Sequence, residues 1–196
     1  MARRRVGILI SGRGSNMAAL IDAARAPDYP AEIALVVSNE PDAAGLAFAA
    51  AQGVATAVVN HRDCASRDAF GEALDTKLRA ADVGLVCLAG FMRLLPAPFV
   101  QRWRGRMLNI HPSLLPAFKG LDTHARALAA GAKVHGCTVH FVVPELDSGP
   151  VILQAEVPVL AGDDEKSLAA RVLEEEHRLY PEALRLVAEG RVAIGE

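Results

Sequence analysis

Short continuous apolar runs alternate along the chain with longer segments whose apolar residues recur every three or four positions. Residues 6–10 form the first run, closed by Gly12 and Gly14, and read as a buried strand; residues 15–25 read as the helix after it. The alternation continues with a strand over 33–37, a helix over 43–52 and a short strand over 57–59. Ala69, Phe70, Ala73, Leu74 and Leu78 then sit at helical spacing and predict a helix over 67–81. Residues 83–89 read as a strand buried on both faces, and 107–111 as a fifth strand stopped by Pro112. This βαβα rhythm predicts an α/β fold: an open, mostly parallel twisted sheet flanked by helices.

The last third changes period. Residues 134–143 read as a long strand that alternates in part, and 151–159 as another, across the turn Asp147-Ser148-Gly149-Pro150; the two are expected to pair antiparallel. A long helix over 165–188 follows, with Asp163 or Asp164 as its N-cap. With no low-complexity linker and no repeat, the 196 residues read as a single domain, 1–196.

Charge and cysteine content narrow the function. Twenty-one Lys and Arg against 23 Asp and Glu leave a formal net charge of −2, which gives no reason to expect nucleic acid or an anionic membrane as partner. The basic opening Ala2-Arg3-Arg4-Arg5 is followed by an apolar run too short for a signal core. Cys64, Cys87 and Cys137 have no metal-type spacing and form an odd set, so no disulfide scaffold is expected and a cytoplasmic location fits. None of the six histidines has zinc-hydrolase spacing, and no metal is expected.

Two segments carry candidate chemistry. Ser11-Gly12-Arg13-Gly14-Ser15-Asn16 lies at a strand-to-helix turn, where backbone N–H groups and the helix dipole favour an anion. Met17 stands where a dinucleotide fingerprint needs a third glycine, and Ser38-Asn39 where it needs an acid. No Walker lysine is present. The loop suits a single phosphate; the alternative is an ordinary βα turn with a capping serine. The second segment is Asn109-Ile110-His111-Pro112-Ser113. Asn109 and His111 share one strand face at the carboxyl end of a parallel strand, where open α/β sheets bind ligands. Such a pair can stabilise an oxyanion and pass a proton; the alternative is a hydrogen-bonded core histidine. Asp147 is either a turn carboxylate or a charge partner for His111. His135 and His140, five apart on one strand, face opposite sides.

Taken together, Leu9–Asn16, Ser66-Arg67, Leu88–Arg93, Asn109–Pro116, His135-Gly136, Val139–Val142, Glu145–Gln154 and Glu176-His177 resemble the phosphoribosylglycinamide formyltransferase family, in order and over nearly the whole chain. The resemblance implies formyl transfer from 10-formyltetrahydrofolate, as cosubstrate, to the amine of glycinamide ribonucleotide in purine biosynthesis. It implies Asn109, His111 and Asp147 as the catalytic trio, and Gly14, Ser15, Asn16 and Glu176 as contacts of the ribonucleotide. Arg67, Met92, Arg93, Leu94, Leu95, Val143, Pro144, Glu145 and Leu146 would line the folate site. Residues 1–100 would form the phosphate-binding half and 101–196 the folate-binding and catalytic half, in a monomer or homodimer. Thr138 stands beside the site, where the family often has a hydroxyl residue. Asp122 and Val143-Pro144 depart from some members. A 10-formyltetrahydrofolate hydrolase would carry an added N-terminal domain, for which no room is expected before the strand at Val6. A methionyl-tRNA formyltransferase would carry a basic C-terminal RNA-binding domain. A non-catalytic phosphate-binding module is the rival from another class.

Overall fold

The computed structural model describes residues 3–194; Ala2 of the basic opening and the terminal Glu196 lie outside the described residues. Among the described residues seven strands form one sheet: β1 (Arg4–Ile10), β2 (Ala31–Ser38), β3 (Thr56–Val58), β4 (Leu85–Leu88), β5 (Met107–His111), β6 (Val134–Phe141) and β7 (Val151–Pro158). Their spatial order is β3-β2-β1-β4-β5-β6-β7. The first five run parallel, and β6 and β7 join antiparallel, β6 on β5 and β7 on β6.

Among the described residues six α-helices flank the sheet: α1 (Ser15–Ala23), α2 (Ala44–Ala51), α3 (Arg67–Ala80), α4 (Ala97–Arg102), α5 (Thr123–Ala129) and α6 (Glu165–Ala188). On one face Val6, Ile8, Ile10, Leu108 and Ile110 pack with Met17, Leu20, Ala49, Val172 and Leu184. On the other Leu9, Val37, Val86 and Met107 pack with Phe70, Leu74, Leu78, Phe99 and Trp103. Successive strand residues thus bury opposite sides, which is why the parallel strands read as unbroken apolar runs.

The expected α/β architecture and antiparallel C-terminal pair are present, with three corrections. The short helices α4 and α5 were not foreseen. Six and seven residues long, the first with Pro98 near its start, they are too brief for a periodic pattern. Strand β6 does not alternate: all but Val134 are buried, because neighbouring strands and helices enclose it. Arg4 and Arg5 of the basic opening belong to the first strand, where Arg5 pairs with Glu32 at 2.6 Å and donates to the Ala81 carbonyl. Of the two N-cap options for α6, Asp164 is the one built, in a capping box with Ser167.

One buried side chain and the order of the strands fix where the strand ends sit. The fully buried Tyr180 of α6 donates its hydroxyl hydrogen between the Leu88 and Leu108 carbonyls, 3.0 and 3.1 Å away, at the last residue of β4 and at the residue of β5 just before Asn109. The chain also runs from β1 outward to β2 and β3, then returns to β4. The carboxyl ends of β1 and β4 therefore part around a crevice, the place where sheets of this type bind ligands.

Candidate active site

The crevice is floored by the glycine loop. Gly14 is the N-cap of α1 at φ 69°, a left-handed conformation that suits glycine, and no side chain caps the helix. The capping serine of the bland alternative is therefore not formed, and the first amides of α1 face a hollow lined by Gly12, Arg13, Gly14, Ser15, Asn16, Ala89 and Gly90. Ser11 braces the hollow from behind. Its hydroxyl donates to Asn39 Oδ1 at 2.5 Å and accepts from the Met92 amide at 2.8 Å. Such a helix end holds an anion through oriented N–H groups and the dipole.

Asn16 turns away from that loop. Its Nδ2 donates to Glu176 Oε2 at 2.6 Å, and both side chains are buried. Burial pushes the Glu176 carboxyl above the ordinary glutamate range, partly offset by the Asn16 hydrogen bond. Asn16 Oδ1 and the neighbouring His177 Nε2 are buried polar atoms without a partner in the protein. The contact between α1 and α6 thus holds a buried acidic group beside an unused acceptor of Asn16.

Across the crevice, β5 delivers Asn109 and His111 on one face. The antiparallel register sets His140 opposite Asn109 and Thr138 opposite His111, adding both to that face. His140 Nδ1 lies 2.9 Å from the Phe141 carbonyl, which only accepts, so Nδ1 carries the proton. Nε2 is then free to accept from Asn109 Nδ2 at 3.3 Å. Burial lowers the pKa of His140, consistent with a neutral ring. This fixes the rotation of the Asn109 amide and leaves its second N–H unused.

His111 and Asp147 meet with both side chains buried, Nδ1 to Oδ2 at 3.5 Å. His111 Nε2 donates to the Phe118 carbonyl at 3.0 Å, and the Gly120 amide donates to Asp147 Oδ2 at 2.9 Å. Each ring nitrogen of His111 therefore faces an acceptor. Asp147 itself has φ 48°, and its loop returns to β6 at Gly149, where a Cβ would lie 1.8 Å from the Phe141 carbonyl oxygen. Only glycine permits that crossing, and the crossing aims Asp147 inward. The turn carboxylate and the charge partner of His111 are one and the same.

Thr138 anchors the segment after β5. Its fully buried hydroxyl accepts from the Leu115 amide (3.0 Å) and Gln154 Nε2 (2.8 Å) and donates to the Ser113 carbonyl (2.7 Å).

The residues expected to line a folate site differ in exposure. Met92, Leu94 and Leu146 are exposed apolar side chains, an arrangement that fits an apolar ligand better than open solvent. Arg93, Pro144 and Glu145 are exposed beside them, and Leu95 and Val143 are half-buried. Arg67 opens α3 just after the capping Ser66; one turn on, Phe70 stacks on Phe91 at 6.4 Å and joins this helix to the 91–95 segment. Sequence reasoning gave no role to His140, Gln154, the Phe118 carbonyl or the Gly120 amide. The two-residue side-chain period of a strand could have set His140 on one face with Thr138, but the two backbone groups carry no side-chain signal. Among the described residues no cluster of His, Cys, Asp and Glu could hold a metal ion.

Comparison with known proteins gives the family. A family model described as formyl transferase matches residues 4–184. The phosphoribosylglycinamide formyltransferase of Escherichia coli (strain K12) is 47% identical over 189 residues, covering 96% of this chain and 89% of that protein. The trifunctional purine biosynthetic protein adenosine-3 of Homo sapiens is 51% identical over 99% of this chain, which spans only 19% of that longer protein. Among solved structures, phosphoribosylglycinamide formyltransferase from Brucella melitensis superposes with a TM-score of 0.92 at 55% identity, over 95% of this chain and 96% of that one. Glycinamide ribonucleotide transformylase 1 from Symbiobacterium toebii gives 0.96 at 51% identity, over 98% and 91%. The chain belongs to the formyl transferase family, among the phosphoribosylglycinamide formyltransferases.

Proposed function

We propose that this chain transfers the formyl group of 10-formyltetrahydrofolate to the amine of glycinamide ribonucleotide, giving formylglycinamide ribonucleotide and tetrahydrofolate in purine biosynthesis. The observation that carries the reading is the buried His111–Asp147 pair beside Asn109, in one crevice with the uncapped start of α1. The substrate phosphate takes the amides at Gly14, Ser15 and Asn16, and Glu176 takes a polar group of the ribose or glycinamide. The folate lies along Arg67, Met92, Arg93, Leu94, Leu95 and the 143–146 segment. The site draws on both halves of the chain, since Asn16 and Glu176 already touch.

In this mechanism the neutral amine attacks the formyl carbon. The second N–H of Asn109 and the positive charge of a doubly protonated His111 stabilise the oxyanion. Asp147 orients His111 and balances its charge. As the tetrahedral intermediate collapses, the bond to the folate nitrogen breaks, and the proton lost by the amine ends on that nitrogen. No covalent enzyme intermediate forms and no metal takes part. We place the enzyme in the cytoplasm as a monomer or homodimer, without nucleic-acid or membrane partners. No described helix is long and apolar enough to cross a membrane.

The test mixes the purified chain with 10-formyltetrahydrofolate, with and without glycinamide ribonucleotide, and follows tetrahydrofolate formation. Turnover that requires both substrates is expected. Formyl release independent of the amine would replace transfer by hydrolysis. Binding of the ribonucleotide without turnover would reduce the chain to a phosphate-binding module.

A further inference from the structure

The four residues 118–121 form a backbone wall with two sides. On the inner side the Phe118 carbonyl accepts from His111 Nε2 (3.0 Å) and the Gly120 amide donates to Asp147 Oδ2 (2.9 Å), so each partner of the central pair is held by this one segment. Lys119 Nζ adds a bond to Ser148 Oγ at 2.6 Å, tying the wall to the loop that carries Asp147. On the outer side, the carbonyls of Lys119 and Leu121 both accept from one nitrogen of Arg126, Nη1, at 2.6 and 3.2 Å. The same guanidinium lies 5.7 Å from the centre of the Phe118 ring.

The wall does not hold this shape through its own backbone preference. Phe118 has φ 52°, Gly120 φ 80° and Asp122 φ 56°, and two of these three are not glycine. A bulky side chain at positive φ is uncommon and persists where the surroundings over-determine it. Arg126 is the group on the outer side that supplies this, from α5, which is seated in the core through the fully buried Ala127.

We propose that Arg126 is a positioning residue for formyl transfer: by clamping the Lys119 and Leu121 carbonyls it fixes the Phe118 carbonyl and Gly120 amide that aim His111 and Asp147. It touches neither of those side chains and acts only through the 118–121 backbone. The proposal rests on the formyl-transfer reading for its kinetic test but not for its spectroscopic one.

The experiment compares wild type, Arg126→Ala and Arg126→Lys in steady-state kinetics with both substrates, with thermal midpoints measured in parallel. A misplacement of about an ångström far from the reacting atoms can cost on the order of 10²-fold, so Arg126→Ala is expected to lose roughly 10–100-fold in kcat. KM for both substrates is expected to stay within about threefold, because no ground-state contact is removed. Lysine can still reach the carbonyls as a point donor and is expected to restore part of the loss. A kcat for Arg126→Ala equal to wild type, or a loss that merely follows the unfolded fraction, would overturn the proposal. Imidazole 15N–1H spectra, with the His111 signals assigned by a His111→Gln variant, give the second reading. A shifted His111 Nε2 signal in Arg126→Ala is expected, and an unchanged one counts against the clamp whether or not the wild type turns over.

Discussion

Asn16 and Glu176, 160 residues apart in the chain, meet in a buried hydrogen bond of 2.6 Å and join the first helix to the last. The bond is the amide's route to satisfaction and the carboxyl's compensation for burial. Asn16→Ala strands the Glu176 oxygens and is expected to destabilise the fold by about 1–3 kcal/mol, read from denaturant midpoints.

Glu176 also ties stability to pH. Because its folded-state pKa is raised by burial, the unfolded chain loses this proton first as pH rises. Its contribution is complete below the ordinary glutamate range and declines as pH rises through the folded pKa. Glu176→Gln is expected to abolish that decline while keeping the bond to Asn16 through its amide oxygen. An identical pH slope in the variant would remove Glu176 as its source.

The central pair should govern turnover and leave phosphate binding alone. Losing one oxyanion-stabilising donor costs about 10²–10³ in kcat, and His111→Ala and Asp147→Asn are each expected to fall in that range. Calorimetry should still show ribonucleotide binding in both. Near-normal kcat in either variant would sink the catalytic assignment.

Thr138 serves the site through structure. Its hydroxyl bonds three groups, the buried Leu115 N and Ser113 carbonyl and the side-chain Nε2 of Gln154. Thr138→Val keeps the shape and strips the Leu115 amide and the Ser113 carbonyl of this partner, while Gln154 Nε2 keeps its bond to the Leu115 carbonyl, for an expected loss of about 2–4 kcal/mol. Urea unfolding measures this directly; a loss below half a unit of that scale would mean that the loop after β5 re-forms its bonds elsewhere.

Histidine burial works in the opposite pH direction. The His135 ring, packed on His124 at 3.2 Å between nitrogens, is pushed down to about 4 by burial, with the His124 and His111 charges adding to it. Burial lowers His124 as well. The folded ring stays neutral where the unfolded ring, near 6.5, takes a proton, so stability is full above that value and is lost as pH falls toward about 4. The denaturant midpoint is expected to fall between pH 7 and pH 5 by roughly 1–3 kcal/mol in stability, and His135→Phe should shrink the difference. The same pH 7 to 5 difference in His135→Phe would clear His135 of the effect.

Much of this protein was determined locally. Apolar runs of strand length, glycines after Ile10 and helical spacing over Ala69–Leu78 are short-range features, and they gave the alternating elements and the parallel sheet because each element must bury its own apolar face. The two-residue period placed Asn109 and His111 on one face before any fold was known, and the glycine loop excluded a dinucleotide by the residue at position 17. What only the tertiary structure decided was every relation between segments distant in sequence. The antiparallel seating of β6 on β5 brought His140 to Asn109, and the glycine crossing at Gly149 turned Asp147 onto His111. The return of α6 over the sheet set Glu176 against Asn16, and backbone groups of residues 118–120 completed the pair. Sequence period fixes which way a side chain points along its own element, but strand register and loop path depend on the packing of the whole core, so the partners of those side chains emerge only when the chain has folded.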